Sequence, residues 1–338
     1  MNAADCYQFV SKSEFALEAE QLSIAILLPV YNDWESFKLL LEKISAVVEQ
    51  KALQLHIVVV DDGSFSVSMK HDDLNLSPNI GSVEVLHLTR NLGHQKAIAI
   101  GLAYLAQGQQ CNTVITMDSD GEDRPEDIIR LINASAGSPD KIVFAKRTKR
   151  SEGIGFRFFY QIYKSVYYIL TGSSISFGNF CIIPLGLLKR LVFVSEIWNH
   201  FSAGVMKSKL PFTTIPTVRG CRIAGRSKMN LGTLVMHGLS AISVHMDIVA
   251  VRVFLASIAL IILSTVGVFI VFGMRLLTTL TIPGWATNVT IGLLIIILEA
   301  FLISFLLVFM ILTNRTFKLF IPCLDYASYI FRIEKVFP

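Results

Sequence analysis

Residues 113–128 read TVITMDSDGEDRPEDI, and the fold turns on how this stretch divides. Val114 to Met117 is a short apolar run suited to a strand. Asp118, Asp120, Glu122, Asp123, Glu126 and Asp127 then place six carboxylates in ten residues. Like charges this close repel unless a cation or a helix end compensates. Asp123 precedes Arg124-Pro125-Glu126-Asp127 and is expected to be a helix N-cap, with Pro125 in the first turn and Glu126 and Asp127 at the positive helix end. Asp118, Asp120 and Glu122 have no such structural reason. Alternate residues of an extended strand end share a face, so these three are expected to converge on one hard cation. Mg2+ or Mn2+, bridging to phosphate oxygens, suits that donor set.

Working outward, the same pattern recurs about every thirty residues. IAILLPV (24–30), HIVVV (56–60), VEVLHL (83–88), TVITM (113–117) and KIVFA (141–145) are short and apolar. Helical patterns lie between them at 35–48, 95–106 and 126–134. Continuous apolar strands alternating with helices predict an α/β fold, a doubly wound and mostly parallel sheet. Ligands of such sheets sit outside the strands' C-terminal ends. There the sequence places PVYND, VDDGS, TRNLGHQ, MDSDGED and AKRTKR, which points to one shared site. Taken alone, DDGS (61–64) reads equally well as a tight turn, and NLGHQ (91–95) as a loop and helix start. EGIG (152–155) is no dinucleotide fingerprint, and no phosphate-binding Walker sequence is present.

The remainder is unlike a soluble enzyme. Of 338 residues 53% are hydrophobic and 17% charged, with mean hydropathy +0.56. Val253 to Met274 carries no charge, and Val289 to Leu312 only Glu299. Each is long enough to cross ~30 Å of hydrocarbon as a helix. Cations flank the pair on the outer sides (Arg226, Lys228, Arg252, then Arg315, Lys318, Arg332, Lys335), against Arg275 in the connection. The positive-inside rule predicts both ends in the cytoplasm. No signal peptide is expected at the N-terminus. Five scattered cysteines suit a reducing compartment. The net charge of +4 fits an anionic lipid surface rather than nucleic acid. The expected domains are a tail (1–22), a catalytic domain (23–230), an amphipathic juxtamembrane helix (231–250), spans at 251–274 and 289–312 around an external loop (275–288), and a cytoplasmic tail (313–338). GFRFFYQIYKSVYYIL (155–170) reads as a helix at the membrane interface, with a buried amphipathic helix as the alternative. Glu299 is expected to face a helix partner or the lipid–protein seam. Two spans with few small-residue motifs argue neither for nor against a homo-oligomer.

LLPVYND, VVVDDGS, RNLGHQKAIAIGL, MDSDGEDRPE and RIAGRSKMN stand in the order found in family-2 inverting glycosyltransferases of the GT-A fold. With the two spans, residues 23 to 315 resemble the polyisoprenyl-phosphate branch of that family, which includes dolichol-phosphate mannose synthases and bactoprenol glucosyltransferases. The resemblance implies a UDP- or GDP-linked sugar donor, a polyisoprenyl phosphate acceptor at the membrane lipid, and Mg2+ or Mn2+. It assigns Pro29, Tyr31, Asp61, Asp62, Gly63, Asn91 and Ser119 to the donor, and Asp118 and Asp120 to the metal with Glu122 beside them. It assigns Arg147 and Arg150 to phosphates, and Arg222, Ser227 and Lys228 to the acceptor phosphate. Asp120, Arg147, Asn179 and Lys228 are the catalytic candidates.

Two departures touch the acceptor side. GNFCII (178–183) puts Asn179 where relatives carry an acid and Cys181 where they carry Arg, and GRSKM has Arg226 and Met229 for Glu and Tyr. Transfer to an alcohol needs a general base, whereas a polyprenyl phosphate is already an anion. A processive or hydroxyl-acceptor enzyme of this fold remains an alternative, although SEIWNHF (195–201) is no Q-x-x-R-W segment. So does a membrane protein that only binds the sugar nucleotide.

Overall fold

The computed structural model describes residues 23–49, 53–65, 76–108, 111–148, 154–224, 231–277, 284–316 and 320–337. Eight strands form one sheet: β1 (Ile24–Val30), β2 (Leu55–Asp61), β3 (Ile80–Leu88), β4 (Thr113–Thr116), β5 (Ile142–Arg147), β6 (Cys181–Pro184), β7 (Phe212–Thr217) and β8 (Ile330–Phe337). Their order is β7-β5-β6-β4-β1-β2-β3-β8. The centre is parallel, as continuous apolar strands require, with β1 paired to both β2 and β4. Two strands depart from that expectation: β6 runs antiparallel to β4 and β5, and β8 antiparallel to β3.

Helices cover both faces, so the winding is double as expected. Phe37, Leu40, Leu41 and Ile44 of α1 (Trp34–Glu49) and Ile128 and Leu131 of α3 (Glu126–Ala136) pack with Ile26, Leu28 and Ile57 on one face. On the other, Ala99, Leu102 and Ala103 of α2 (His94–Gly108) and Leu188 and Leu191 of α5 (Leu185–Leu191) pack with Leu27, Val60 and Phe144. These side chains are almost fully buried, and each Leu or Ile contributes about 1.5–3 kcal/mol by leaving water. Gly101 lets α2 approach closely, because a Cβ there would lie 2.3 Å from a Leu27 methyl.

The remaining helices are α4 (Ile154–Thr171), α6 (Phe201–Ser208), α7 (Leu231–Ser243), α8 (Met246–Leu277), α9 (Trp285–Thr316) and the short α10 (Pro322–Asp325). Met246–Leu277 and Trp285–Thr313 are long and apolar enough to cross a membrane. Both exceed the expected 251–274 and 289–312. The helix expected at 231–250 is broken, since α7 ends at Ser243 and α8 begins at Met246.

The C-terminal segment is not a tail. After α9 the chain returns to the sheet, where β8 registers Glu84 against Lys335 and Leu86 against Ile333. Cys323 of α10 is buried and accepts at its carbonyl from the Gln107 amide. The sheet unit therefore includes residues 320–337 as well as 23–224.

Candidate active site at the β1/β4 switch point

Between β1 and β4 the strand order reverses, and the sheet opens there. The last bond between these strands runs from the Met117 N–H to the Leu27 carbonyl. Pro29, two residues on, directs its donorless nitrogen toward the side that β4 no longer covers. On the β2 side, Val30 still accepts from the Asp62 N–H at 2.9 Å. Beyond β1, Asn32 sits in the left-handed region (φ 49°). Its N–H donates to Ser64 and its side chain accepts from Phe65 N–H, at 2.8 and 2.9 Å. Tyr31 remains 37% exposed on the rim.

The loop after β2 is fixed by its own acids. Asp61 accepts from the Ser64 N–H and shares a 2.9 Å hydrogen bond with His87, whose other ring nitrogen meets Glu334 of β8 at 3.1 Å. Asp62 receives the Leu92 and Gly93 N–H groups on its two oxygens at 2.7 and 2.8 Å. Burial nevertheless holds the Asp62 carboxyl above its usual range, against the pull of those donors. Gly63 (φ 71°) lies on the Arg90–Asn91 backbone, where a Cβ would come within 2.6 Å of Asn91 N. Asn91 itself is exposed.

The acidic stretch is stitched together by cations. Asp118 faces His94 Nε2 at 3.1 Å and Asp120 faces Arg222 at 3.0 Å. Glu122 receives Arg219 at 2.6 Å, with Arg147 at 3.6 Å. Arg222 also pairs with Asp33 after β1, so one guanidinium straps β1's loop to β4's. The strap is reinforced by backbone: Ile223 N–H donates to Asp120 C=O and Gly220 N–H to Glu122 C=O. Gly121 (φ 84°) lets Ile223 lie on the loop, since a Cβ would be 2.4 Å from its side chain. Ser119 is buried beneath.

Asp123 is not the helix cap. The cap position belongs to Pro125, which has helical torsions and offers no side chain. Asp123 points inward, accepting from the Asp118 N–H and from Arg147, both at 3.0 Å. Desolvation and the neighbouring Asp118 charge push the Asp123 carboxyl up, with Arg147 opposing. Asp118 is held low despite its own desolvation, because His94 and Arg147 stabilise its charge. For His94, desolvation pulls down, but Asp118 outweighs it and the imidazole ends above its usual range.

Asn179 closes the site. Phe201 N–H donates to Gln95 Oε1 at 2.6 Å, and Gln95 Nε2 donates to Asn179 Oδ1 at 3.3 Å. That chain aims the Asn179 amide nitrogen at His94 Nε2, 3.1 Å away. The Asn179 carbonyl accepts from the Thr116 hydroxyl, and Cys181 Sγ lies 3.3 Å from the same hydroxyl. Burial pushes the Cys181 thiol up to about 12, so it is an inert packing residue.

The profile described as "Glycosyl transferase family 2" matches residues 25–195. A relative in Bacillus subtilis (strain 168), "Uncharacterized glycosyltransferase YkcC", is 30% identical over 82% of this chain and 84% of its own. The chain belongs to glycosyl transferase family 2. This family-2 chain is also 32% identical to the "Undecaprenyl-phosphate 4-deoxy-4-formamido-L-arabinose transferase" of Pseudomonas fluorescens (strain SBW25). That match covers 38% of this chain and 36% of the relative, little more than a third of its length. Among solved structures, mannosyl-3-phosphoglycerate synthase from Rubrobacter xylanophilus aligns at TM-score 0.45 and 15% identity, over 66% of this chain and 72% of its own.

In this family-2 transferase the donor-side candidates Pro29, Tyr31, Asp61, Asp62, Gly63, Asn91 and Ser119 stand at or just past the C-terminal ends of β1 to β4, on the same edge of the sheet as Asp118, Asp120, Arg147, Asn179 and Arg222. Arg150, Ser227 and Lys228 lie outside the described residues. The expected convergence of Asp118, Asp120 and Glu122 on one cation does not occur: among the described residues no three His, Cys, Asp or Glu side chains form a metal-holding group. Repulsion turns each carboxylate toward a different cationic partner. Asp118 and Asp120 fit a hard divalent cation by chemistry, and Asp118 Oδ1 is a buried oxygen with no aligned hydrogen bond. Glu122, taken up by Arg219, does not. Reading from sequence missed His94, Asp33 and Arg219. His94 and Asp33 carried a signal, as the ionisable residues of NLGHQ and PVYND at strands' C-terminal ends; Arg219 carried none.

Proposed function

We propose that the protein is a membrane-bound inverting glycosyltransferase that moves one sugar from a UDP- or GDP-linked donor to polyisoprenyl phosphate. The observation that carries this reading is Asn179: an amide, fixed between Gln95 and His94 beside Asp118, stands where transfer to an alcohol would want a carboxylate base. A phosphate monoester, with a second pKa near ~6, brings no proton that must be removed. Its oxygen attacks the anomeric carbon from the face opposite the diphosphate, the bond to the diphosphate breaks, and the nucleoside diphosphate leaves with the electron pair.

In this reading the nucleoside end lies on the loops of Tyr31, Asp61, Asp62, Gly63 and Asn91. Asp118 and Asp120 would hold Mg2+ or Mn2+, which when bound supplies positive charge to the departing diphosphate. Arg147 and Arg150 would meet the same phosphates, where preorganised cations contribute most as charge develops. Arg222, keeping its pair with Asp33, would turn its other guanidinium nitrogen to the acceptor phosphate, with Ser227 and Lys228, once Asp120 is otherwise neutralised. Exposed apolar side chains on α4 (Ile162, Val166, Tyr168, Ile169) and α7 (Val235, Met236, Leu239) suit helices lying in the membrane interface. Arg252 ties α4 to the first span by donating to the Ile169 carbonyl at 2.5 Å. Purified protein, offered a panel of nucleotide sugars with polyprenyl phosphate and Mg2+ or Mn2+, is expected to form a glycolipid. Donor binding without transfer to any acceptor would leave a binding protein instead.

A further inference from the structure

Glu299 is the single charge between Trp285 and Thr313, and it is the fifteenth of those 29 residues. It therefore lies mid-way along the second apolar helix. The seam with α8 uses another face of α9. Ala300 and Ser304 are buried there, Leu293 lies against Gly267, and α8 contributes Ser257, Ser264 and Val271 at seven-residue spacing. Glu299 is exposed and makes no hydrogen bond or ion pair among the described residues. One and two turns away on its own face stand Ile295, Leu302 and Leu306, all more than half exposed. Gly292, seven residues before Glu299, leaves that face bare: a Cβ there would meet nothing within 4 Å.

An unpaired ionisable side chain at mid-bilayer is costly, and such groups pair within bundles. Among the described residues no partner charge stands at that depth. Val253 to Met274 has none, and Arg252, Arg275 and Arg315 stand at the helix ends. A second copy in the same orientation would bring another Glu299 to that depth. A lipid phosphate stays at the interface. We infer that the Gly292–Glu299–Leu306 face of α9 docks a transmembrane helix of a different protein that carries a lysine, arginine or histidine at mid-bilayer depth. The inference rests on the reading that α8 and α9 span the bilayer.

The test uses full-length protein in liposomes, with a labelled Leu-rich model helix carrying one central Lys or the same helix with Leu there. Energy transfer is expected to show the Lys helix binding about tenfold more tightly, the size of one interhelical polar contact. Glu299→Gln is expected to erase the difference and Glu299→Asp to keep part of it, while sugar transfer by Glu299→Gln stays unchanged. Equal binding of both helices, or a preference that survives Glu299→Gln, would overturn the inference. So would self-association that depends on Glu299, or a loss of transfer matching that of Asp120→Asn. Carbonate-resistant flotation with the liposomes is read separately: failure there overturns the membrane reading itself, whereas flotation without Lys preference rejects only the docking face.

Discussion

Replacing Asp120 by Asn removes one of the two carboxylates suited to a cation and weakens the hold on Arg222. Transfer is expected to be abolished, with a melting temperature close to that of the parent, because Asp120 lies in a loop outside both cores. Asp123→Asn is the more discriminating change. As a helix cap it would be nearly silent, since Asn caps well. In the structure it instead positions Asp118 and Arg147, and misplacing such groups by about 1 Å costs on the order of 10²-fold. Initial rates for the two variants decide this: an Asp123→Asn enzyme at parental speed would contradict the inward role. The sequence left Asp118 and Asp120 without a structural purpose, which made them legible as functional. Asp123 was misread because a cap depends on backbone torsions, and Pro125 takes helical ones. Arg219 was illegible because its partner Glu122 is 97 positions away.

At the scale of elements, α6 begins with a histidine cap: the Ala203 N–H donates to His200 Nδ1 at 3.3 Å. Burial, with the His237 ring beside it, pulls the His200 imidazole down to about 3. An unfolded imidazole titrates near ~6.5, so the unfolded chain takes the proton first as pH falls. Stability present above that pH is lost progressively toward pH 3, on the order of 2 kcal/mol between pH 7 and pH 5. His200→Asn keeps a cap acceptor and is expected to shrink the drop in melting temperature across that interval; an unaltered drop would assign it elsewhere. Gly121→Ala tests the strap over the acidic loop. Its positive φ and the contact with Ile223 predict a loss of about 1–3 kcal/mol together with slowed transfer, measured by melting and by rate. Strands β1 to β5 were readable because each carries a mostly apolar stretch between helical patterns. Strands β6 and β7 were not, one having four residues and the other an exposed face. Strand β8 alternates charge with apolar residues beside a long apolar helix, so FRIEKVF passed for a basic tail.

For the whole molecule, the return of the chain to β8 constrains topology. The helical hairpin leaves the sheet after β7 and rejoins it at β3, so both of its outer ends stand on one side of any bilayer it crosses. With Cys6 and Cys221 replaced by Ser, Thr287→Cys in the hairpin turn is expected to react with an impermeant thiol reagent on intact cells. Asn133→Cys, at an exposed position of α3, is expected to stay unlabelled, and the opposite pattern would cut the site off from cytosolic sugar nucleotides. The two long helices were evident from hydropathy alone, whereas the joining of both flanks into one sheet depends on pairings more than 240 residues apart, which no local pattern encodes. The central claim, transfer to a lipid phosphate, is tested most directly at position 179, by initial rates of the parent and Asn179→Asp with polyprenyl phosphate and with a lipid alcohol. A phosphate acceptor predicts no gain and a slower reaction for Asn179→Asp, because a new carboxylate repels the incoming anion by up to ~4 kcal/mol at ~4 Å and an effective dielectric of ~20. A gain of about 10²–10⁴-fold confined to the alcohol, the usual worth of a restored general base, would contradict it.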